Sequence, residues 1–272
     1  MVILMINKTL YFKELKRNFP LFIIFAFLLL LYGGIVSSLF NPNPDMTNWM
    51  ELVTEQFPEM MEFIGFNVNN LNDYQSFVAG YLYGMLMIAF GLILVILLVN
   101  KLIFNYISNG SFVFLLSSPN SRNKVLGTQI FVVLTYLFSF VLTIFLILAL
   151  SGSLNFPQHV DWLKLLYLNF SFFLLLLFIS SLTTFASSLF EGKVAFSLNI
   201  GLNVSFFIFK LISNLGNNYK FFKYLTPYSL FNIEKALNYE FGSVINNIIL
   251  LLLTVTLYTI TFISFKKKDL SL

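Results

Sequence analysis

The sequence predicts an all-α polytopic membrane protein: six transmembrane helices, an N-terminal amphipathic elbow helix, and a re-entrant segment before the last span. Of its 272 residues, 58% are hydrophobic and only 10% are charged, and the mean hydropathy is +0.85. Soluble domains average about 45–50% apolar and about 25% charged residues. A soluble fold of this composition would have too little charged surface to cover its core.

Residues 1–272 are expected to form a single transmembrane domain. A helix rises about 1.5 Å per residue, so about 20 apolar residues cross the ~30 Å hydrocarbon core of a bilayer. None of the long apolar runs carries a carboxylate in its middle. The predicted spans are residues 20–40, 77–100, 125–150, 165–189, 194–212 and 244–265.

Basic residues are distributed unequally between the loops. With the N-terminus inside and the spans alternating, eleven Lys and Arg residues fall on the inner side and four on the outer side. The outer loop 41–74 has no basic residue and six acidic ones. Because Lys and Arg concentrate in cytoplasmic loops, we expect a bacterial plasma membrane location with both termini in the cytoplasm.

The elbow helix is predicted over residues 7–19. Its apolar residues can face lipid while its basic residues reach anionic headgroups, and Pro20 stands where a first-turn proline begins the next helix. The alternative is a positive anchor that only sets topology. The apolar residues are Leu10, Tyr11, Leu15 and Phe19, and the basic ones are Lys8, Lys13, Lys16 and Arg17.

Two outer segments also have a regular arrangement of apolar residues that is interrupted by proline. The loop before the second span carries apolar and acidic residues on opposite helical faces, interrupted by Pro58. Its acidic face is either simply solvated or attracts a cationic cargo. Segment 219–241 is too apolar for a free loop and is broken by Pro227, which favours two short half-helices that dip into the outer leaflet.

Several kinds of chemistry are excluded by the residues of the chain. It has no Cys and one His, which excludes disulfides, thiol nucleophiles and multi-histidine metal sites. The only Gly-Lys pair is followed by Val194, so there is no Walker A loop. Ion-driven carriers usually require ionisable residues at mid-depth in the membrane, and the predicted spans contain none there. We expect no enzyme activity, metal, cofactor or nucleic-acid partner for this chain, and an energy source outside it.

Uncharged polar residues recur at helical spacing within the spans. Thr135 and Ser139 are four apart on the third span, and Asn199 and Asn203 are four apart on the fifth. Ser and Thr often bond to their own helix or join helices together, which is the simpler interpretation. Because Asn is costlier to bury, Asn199 and Asn203 are the main candidates for a translocation path or subunit seam. Thr135 and Ser139 are further candidates for the same role.

The inner loop between the second and third spans is unusually apolar. Residues 101–124 read KLIFNYISNGSFVFLLSSPNSRNK. Pro119 stops any helix, and Asn120 and Ser121 can cap the next one. A loop this apolar is expected to dock on a partner. Alternatively, it extends the second span or packs beneath the bundle.

The ordered set of features resembles the type-2 ABC exporter permeases, the membrane-spanning subunits of ATP-binding-cassette exporters. It comprises the elbow helix, six spans, the sequence G-S-F-x-F-L-L-S-S-P-N-S-R at residues 110–122, Pro227 and the basic tail 266–270. Asn109 is a departure, because the family often has an acidic residue there.

The resemblance implies that two permease halves pair, as a homodimer, and that each carries a separate cytosolic ATPase subunit that binds ATP and Mg. Spans two and five would line the path between the halves. The exported cargo would be hydrophobic or amphipathic: a peptide, drug, lipid or polysaccharide, with the acidic loop favouring a cationic peptide. The implied ATPase-coupling residues are Ile107, Asn109, Gly110, Phe112, Phe114, Leu115, Leu116 and Arg122.

Two other classes of function remain open. The acidic outer loop is also compatible with a non-transporting immunity or sensor protein that binds a peptide at the outer surface. A passive channel is a third hypothesis, although the sequence contains no legible ring of charge or carbonyl filter.

Overall fold

The computed structural model describes residues 6–41, 56–65, 73–111, 121–190 and 192–267, and these residues contain helices and no strand. Six helices are long and apolar enough to cross a membrane, which confirms an all-α multi-pass architecture. They are α1 (Lys8–Leu39), α2 (Leu86–Ser108), α3 (Arg122–Asn155), α4 (Trp162–Leu189), α5 (Gly192–Ser213) and α6 (Phe241–Lys267).

Capping side chains set where three of these helices begin. The Asn7 side chain accepts a 3.1 Å hydrogen bond from the backbone N–H of Leu10. The Ser121 hydroxyl accepts from the N–H of Lys124, as expected for a cap before the third span. Asp161 caps α4 in the same way. Each cap satisfies an N–H that the first helical turn leaves without a partner.

The predicted break between the elbow helix and the first span is absent. α1 runs continuously from Lys8 to Leu39 with Pro20 inside it, so a separate elbow helix is not confirmed. An internal proline removes one helical hydrogen bond, but α3 holds the turns that precede it. The Tyr136 hydroxyl donates to the carbonyl of Leu15, and the hydroxyls of Tyr11 and Thr135 lie 3.0 Å apart.

α1 and α3 run parallel to each other. Near their starts, the N–H of Asn7 donates to the Thr128 hydroxyl at 2.9 Å. Near their ends, the buried Tyr74 hydroxyl lies 2.6 Å from the Ser37 hydroxyl and donates to the carbonyl of Leu148 at 2.8 Å. Tyr74 therefore joins α1 and α3 to the segment that leads into α2.

α4 and α6 form a second parallel pair. The hydroxyls of Tyr167 and Ser243 lie 3.2 Å apart near the starts of these helices. The hydroxyls of Ser180 and Tyr258 lie 2.6 Å apart toward their other ends. Helix directions thus alternate along the chain.

We call the end of the bundle where α1, α3 and α5 begin the proximal end, and the opposite end the distal end. α1 begins and α6 ends at the proximal end, so both described termini lie there. The basic residues follow this division. Ten described ones lie toward the proximal end (Lys8, Lys13, Lys16, Arg17, Lys101, Arg122, Lys124, Lys193, Lys266 and Lys267) and five toward the distal end (Lys164, Lys210, Lys220, Lys223 and Lys235).

α4 is the central helix. In its most apolar stretch 67% of the residues are buried, against 22% for α1, α5 and α6. Gly91 allows α2 to approach α4 closely, because a Cβ atom there would lie 2.4 Å from Cδ2 of Leu176. The outer faces of α1, α5 and α6 expose many large apolar side chains.

Short helical pieces form the distal end. The segment between α5 and α6 consists of two 3₁₀ pieces, Asn217–Leu225 and Pro227–Leu230, and the helix Ile233–Leu237. Pro227 begins the second piece, in agreement with the predicted break, but a re-entrant path is not confirmed. Pro58 begins a short helix, Pro58–Phe63. The rest of the predicted amphipathic pattern, residues 42–55, lies outside the described residues.

α2 begins and ends later than predicted. A short helix, Tyr74–Val78, and a π-helical turn, Ala79–Tyr83, precede it at the distal end. A second π turn, Asn100–Phe104, lies inside it, and the helix then continues to Ser108. Part of the predicted inner loop is therefore the last turns of α2, which was the alternative interpretation.

Candidate functional site

The structure describes only the two flanks of the predicted coupling loop. Ile107 lies in the last turn of α2 and packs against the hydrophobic core, and Asn109 is the residue that ends this turn. Gly110 has φ +68°, a left-handed conformation that favours glycine after a helix. Arg122 begins α3. Phe112, Phe114, Leu115 and Leu116 lie outside the described residues, so their role stays a prediction.

A polar group that we call the proximal cluster (Glu14, Arg17 and Tyr106) ties the end of α2 to α1. An Arg17 guanidinium nitrogen lies 2.8 Å from a carboxylate oxygen of Glu14, which is fully buried. The Tyr106 hydroxyl donates to the other Glu14 oxygen at 2.8 Å and accepts from Arg17 at 2.6 Å. The guanidinium also lies 5.2 Å from the centroid of the Tyr106 ring.

Sequence reasoning did not identify the proximal cluster. The sequence pattern indicates Arg17 only as a headgroup-facing basic residue and does not single out Glu14 or Tyr106. The i,i+3 spacing of Glu14 and Arg17 is a signal that could have indicated the ion pair. Tyr106 had no such signal, because its partners lie on another helix.

Asn199 and Asn203 are brought together in the interior of the bundle. Both side chains are fully buried. The Asn199 amide donates to the hydroxyl of Ser187 at 2.8 Å and to Oδ1 of Asn100 at 2.6 Å. The Asn203 amide donates to the hydroxyl of Thr183 at 3.0 Å. These contacts join α5 to α4 and to the π turn of α2.

The distal segment joins the same group of side chains. The hydroxyl of buried Tyr228 donates to Oδ1 of Asn203 at 2.8 Å. Burial raises the pKa of the Tyr228 phenol well above its usual value. We call Asn100, Thr183, Ser187, Asn199, Asn203 and Tyr228 the asparagine network. Its hydrogen bonds lie within a single chain, and a role in a path or seam stays a prediction.

Thr135 and Ser139 are not part of this network. Their hydroxyls donate to backbone carbonyls one turn earlier on α3, of Phe131 and Thr135 respectively, both at 2.9 Å. Thr135 also contacts Tyr11 of α1. Their hydrogen bonds are those expected of hydroxyl residues that bond to their own helix.

A polar cavity of about 360 Å³ opens at the distal end, and we call it the distal cavity. Its walls come from the end of α5, the segment before α2, the short helix Pro58–Phe63 and the segment before α6. Lys210 lines it and donates a 3.0 Å hydrogen bond to the carbonyl of Phe231. Glu62 and Glu234 line it as well, and both are exposed.

Glycine shapes one wall of the distal cavity. A Cβ atom on Gly84 would lie 2.2 Å from the backbone oxygen of Ile64, so only glycine allows this approach. The Asn214 amide donates to the carbonyl of Phe63 at 3.3 Å and holds the short helix against α5. Sequence reasoning treated Lys210 only as a lysine near the end of a span and did not predict the cavity.

Within the described part of the chain, no group of three or more His, Cys, Asp or Glu residues could hold a metal ion. In comparisons with protein-family models, curated proteins and solved structures, nothing matches this chain.

Proposed function

We propose that the chain is the membrane-spanning permease subunit of an ABC exporter. It would move a hydrophobic or amphipathic cargo outward, using ATP hydrolysed by a separate subunit. The observation that carries the proposal is the position of the helix ends that flank the apolar loop. α2 ends and α3 begins at the proximal end, which also holds both described termini and ten basic residues. By the positive-inside rule this end faces the cytoplasm, where an ATPase would dock.

The proximal cluster supports a mechanical role for the loop. Arg17, Glu14 and Tyr106 clamp the last turns of α2 to α1, immediately before the loop. Force applied at the loop would therefore move α2 and the start of α1 together. In this mechanism, ATP binding shifts the population between two arrangements of the membrane halves.

The asparagine network offers a route from the loop to the interior. Asn100 begins the π turn of α2 and accepts a hydrogen bond from Asn199 on α5. π turns occur often at functional sites. A shift of α2 would act directly on α5, the helix that the family resemblance places beside the path.

The finer membrane features are part of the same proposal. An interfacial position of residues 7–19 is supported by Phe12 and Phe19, which are exposed at 62% and 54%. A re-entrant segment is supported by Tyr228, which is buried and bonded to Asn203 within the bundle. Pairing of two halves is supported by the apolar residues that α5 leaves exposed, including Val194 and Phe196.

Docking of an ATPase is tested by co-purification with a separate ATPase subunit. The Phe112→Asp/Leu115→Asp variant is expected to lose both the association and the cargo-stimulated turnover, because charge replaces the predicted apolar anchors. Phe221→Asp is the matched control, since Phe221 is 65% exposed on the distal segment. Unchanged association and turnover in the double variant would overturn the proposal.

A second candidate function is a non-transporting immunity or sensor protein that binds a peptide at the outer surface. The distal cavity favours it, because Glu62 and Glu234 present two exposed carboxylates there. The two functions are distinguished in cells that lack every candidate ATPase partner. Peptide protection that persists in these cells supports the second function, and its loss supports the exporter.

A further inference from the structure

The distal cavity contains an ammonium group with unused donors. The Lys210 ammonium has three N–H donors, and one is directed to the carbonyl of Phe231. Among the described residues, no carboxylate oxygen lies within 4.0 Å of its Nζ. Lys210 is half-buried in α5. A desolvated ammonium of this kind gains strongly from an anionic partner.

The same cavity carries opposite charge at separate positions. Glu62 comes from the short helix Pro58–Phe63 and Glu234 from the helix before α6, whereas Lys210 comes from α5. Neither carboxylate forms an ion pair with a described basic residue. Asn214 and Asn232 add amide groups to the lining. A half-buried cation and exposed anions that do not neutralise one another are complementary to a zwitterion.

The level of Lys210 in the membrane indicates which class of zwitterion the distal cavity would bind. Lys210 lies three residues before the end of α5 at Ser213, which is roughly 5 Å along the helix axis. If α5 crosses the bilayer, this is the level at which hydrocarbon meets the headgroups. Phosphate is the anion at that level, and the volume of about 360 Å³ falls in the range of small-molecule sites.

We propose that the distal cavity binds a phosphoethanolamine group, with its phosphate on Lys210 and its amine between Glu62 and Glu234. The group could be supplied by an aminophospholipid headgroup or by the free solute, and both share this chemistry. The proposal goes beyond ATP-driven export and does not depend on an ATPase partner.

The test titrates the purified full-length chain in detergent, without any ATPase, and follows its thermal unfolding midpoint. The probes are dihexanoyl phosphatidylethanolamine, its phosphatidylcholine and phosphatidylglycerol counterparts, and O-phosphoethanolamine. We expect the ethanolamine lipid to raise the midpoint at concentrations at least tenfold below those needed for the other two lipids. A matching shift by O-phosphoethanolamine indicates a site for the free group, and a shift by the lipid alone indicates a headgroup site.

Variants of the lining residues test which of them binds the phosphate and which bind the amine. Lys210→Met is expected to weaken binding of the ethanolamine lipid at least tenfold, and Lys220→Met, on the exposed distal surface, is the matched control. Glu62→Gln/Glu234→Gln changes exposed side chains and should abolish the preference for ethanolamine over glycerol without affecting folding. Equal affinity for all three lipids, or wild-type preference in the glutamine variant, would overturn the proposal even if Lys210→Met does not fold.

Discussion

The hydroxyl of Tyr228 donates a 2.8 Å hydrogen bond to Oδ1 of Asn203. This contact joins a 3₁₀ turn of the distal segment to the middle of α5, where Asn203 also bonds to Thr183 of α4. The segment between α5 and α6 is therefore held by the polar interior of the bundle. Asn203 therefore couples the distal segment to the α4–α5 contact.

Removal of the Tyr228 hydroxyl should destabilise the fold. Tyr228→Phe leaves Oδ1 of Asn203 buried without its donor, and we expect a loss of about 1 kcal/mol in the free energy of unfolding, since polar contacts between membrane helices average about 0.6 and reach about 1.7 kcal/mol. Denaturant titration in mixed micelles measures the change. Tyr224→Phe, at a side chain that is 84% exposed, should be neutral. An equally small effect at both positions would argue against the contact.

The proximal cluster should respond asymmetrically to mutation. Arg17→Ala leaves the fully buried Glu14 carboxylate without its cation, whereas Glu14→Gln leaves Arg17, whose side chain is 37% exposed, free to be hydrated. We expect Arg17→Ala to cost at least about 2 kcal/mol of unfolding free energy and Glu14→Gln to cost less. The comparison uses the same mixed-micelle titration, with exposed Lys16→Ala as control. The reverse order would contradict the pairing of a buried Glu14 with a partly exposed Arg17.

Two glycines should tolerate alanine differently. Gly84→Ala places a methyl group 2.2 Å from the backbone oxygen of Ile64, whereas nothing lies within 4 Å of the corresponding atom at Gly34. We expect Gly84→Ala to displace the short helix Pro58–Phe63 and to increase proteolysis there. Gly34→Ala should leave it intact, because alanine favours the helix. Identical protease patterns for the two variants would contradict this packing.

A buried amide without partners offers a stabilising substitution. Gln129 of α3 is fully buried, and neither amide atom has a hydrogen-bond partner in the described part of the protein. Gln129→Met keeps the shape and removes the unpaired polar atoms, so we expect a thermal midpoint that is unchanged or higher, with a gain of up to about 1 kcal/mol. Gln129→Glu should lower it. A large loss in Gln129→Met would show that the amide has a hydrogen-bond partner in the folded protein.

The number of membrane helices was predictable from sequence because it depends on local properties. An apolar run of about 20 residues matches the bilayer thickness wherever it occurs, and the start of α3 was anticipated from Ser121, whose cap involves only its own helix. The prediction that a new helix begins at Pro20 was wrong, because the continuity of α1 depends on a contact that is not local. α3 holds the turns that precede Pro20.

The sequence by itself determined the membrane class, the six spans and the concentration of basic residues at one end, since composition and run length decide all three. Only the tertiary structure decided that Asn199 meets Asn100, that Glu14 meets Tyr106 and that Lys210 lines a cavity. These partners lie on helices far apart in the chain. Their meeting depends on how each helix is rotated and which neighbours it packs against, and an apolar run long enough to cross a membrane encodes neither.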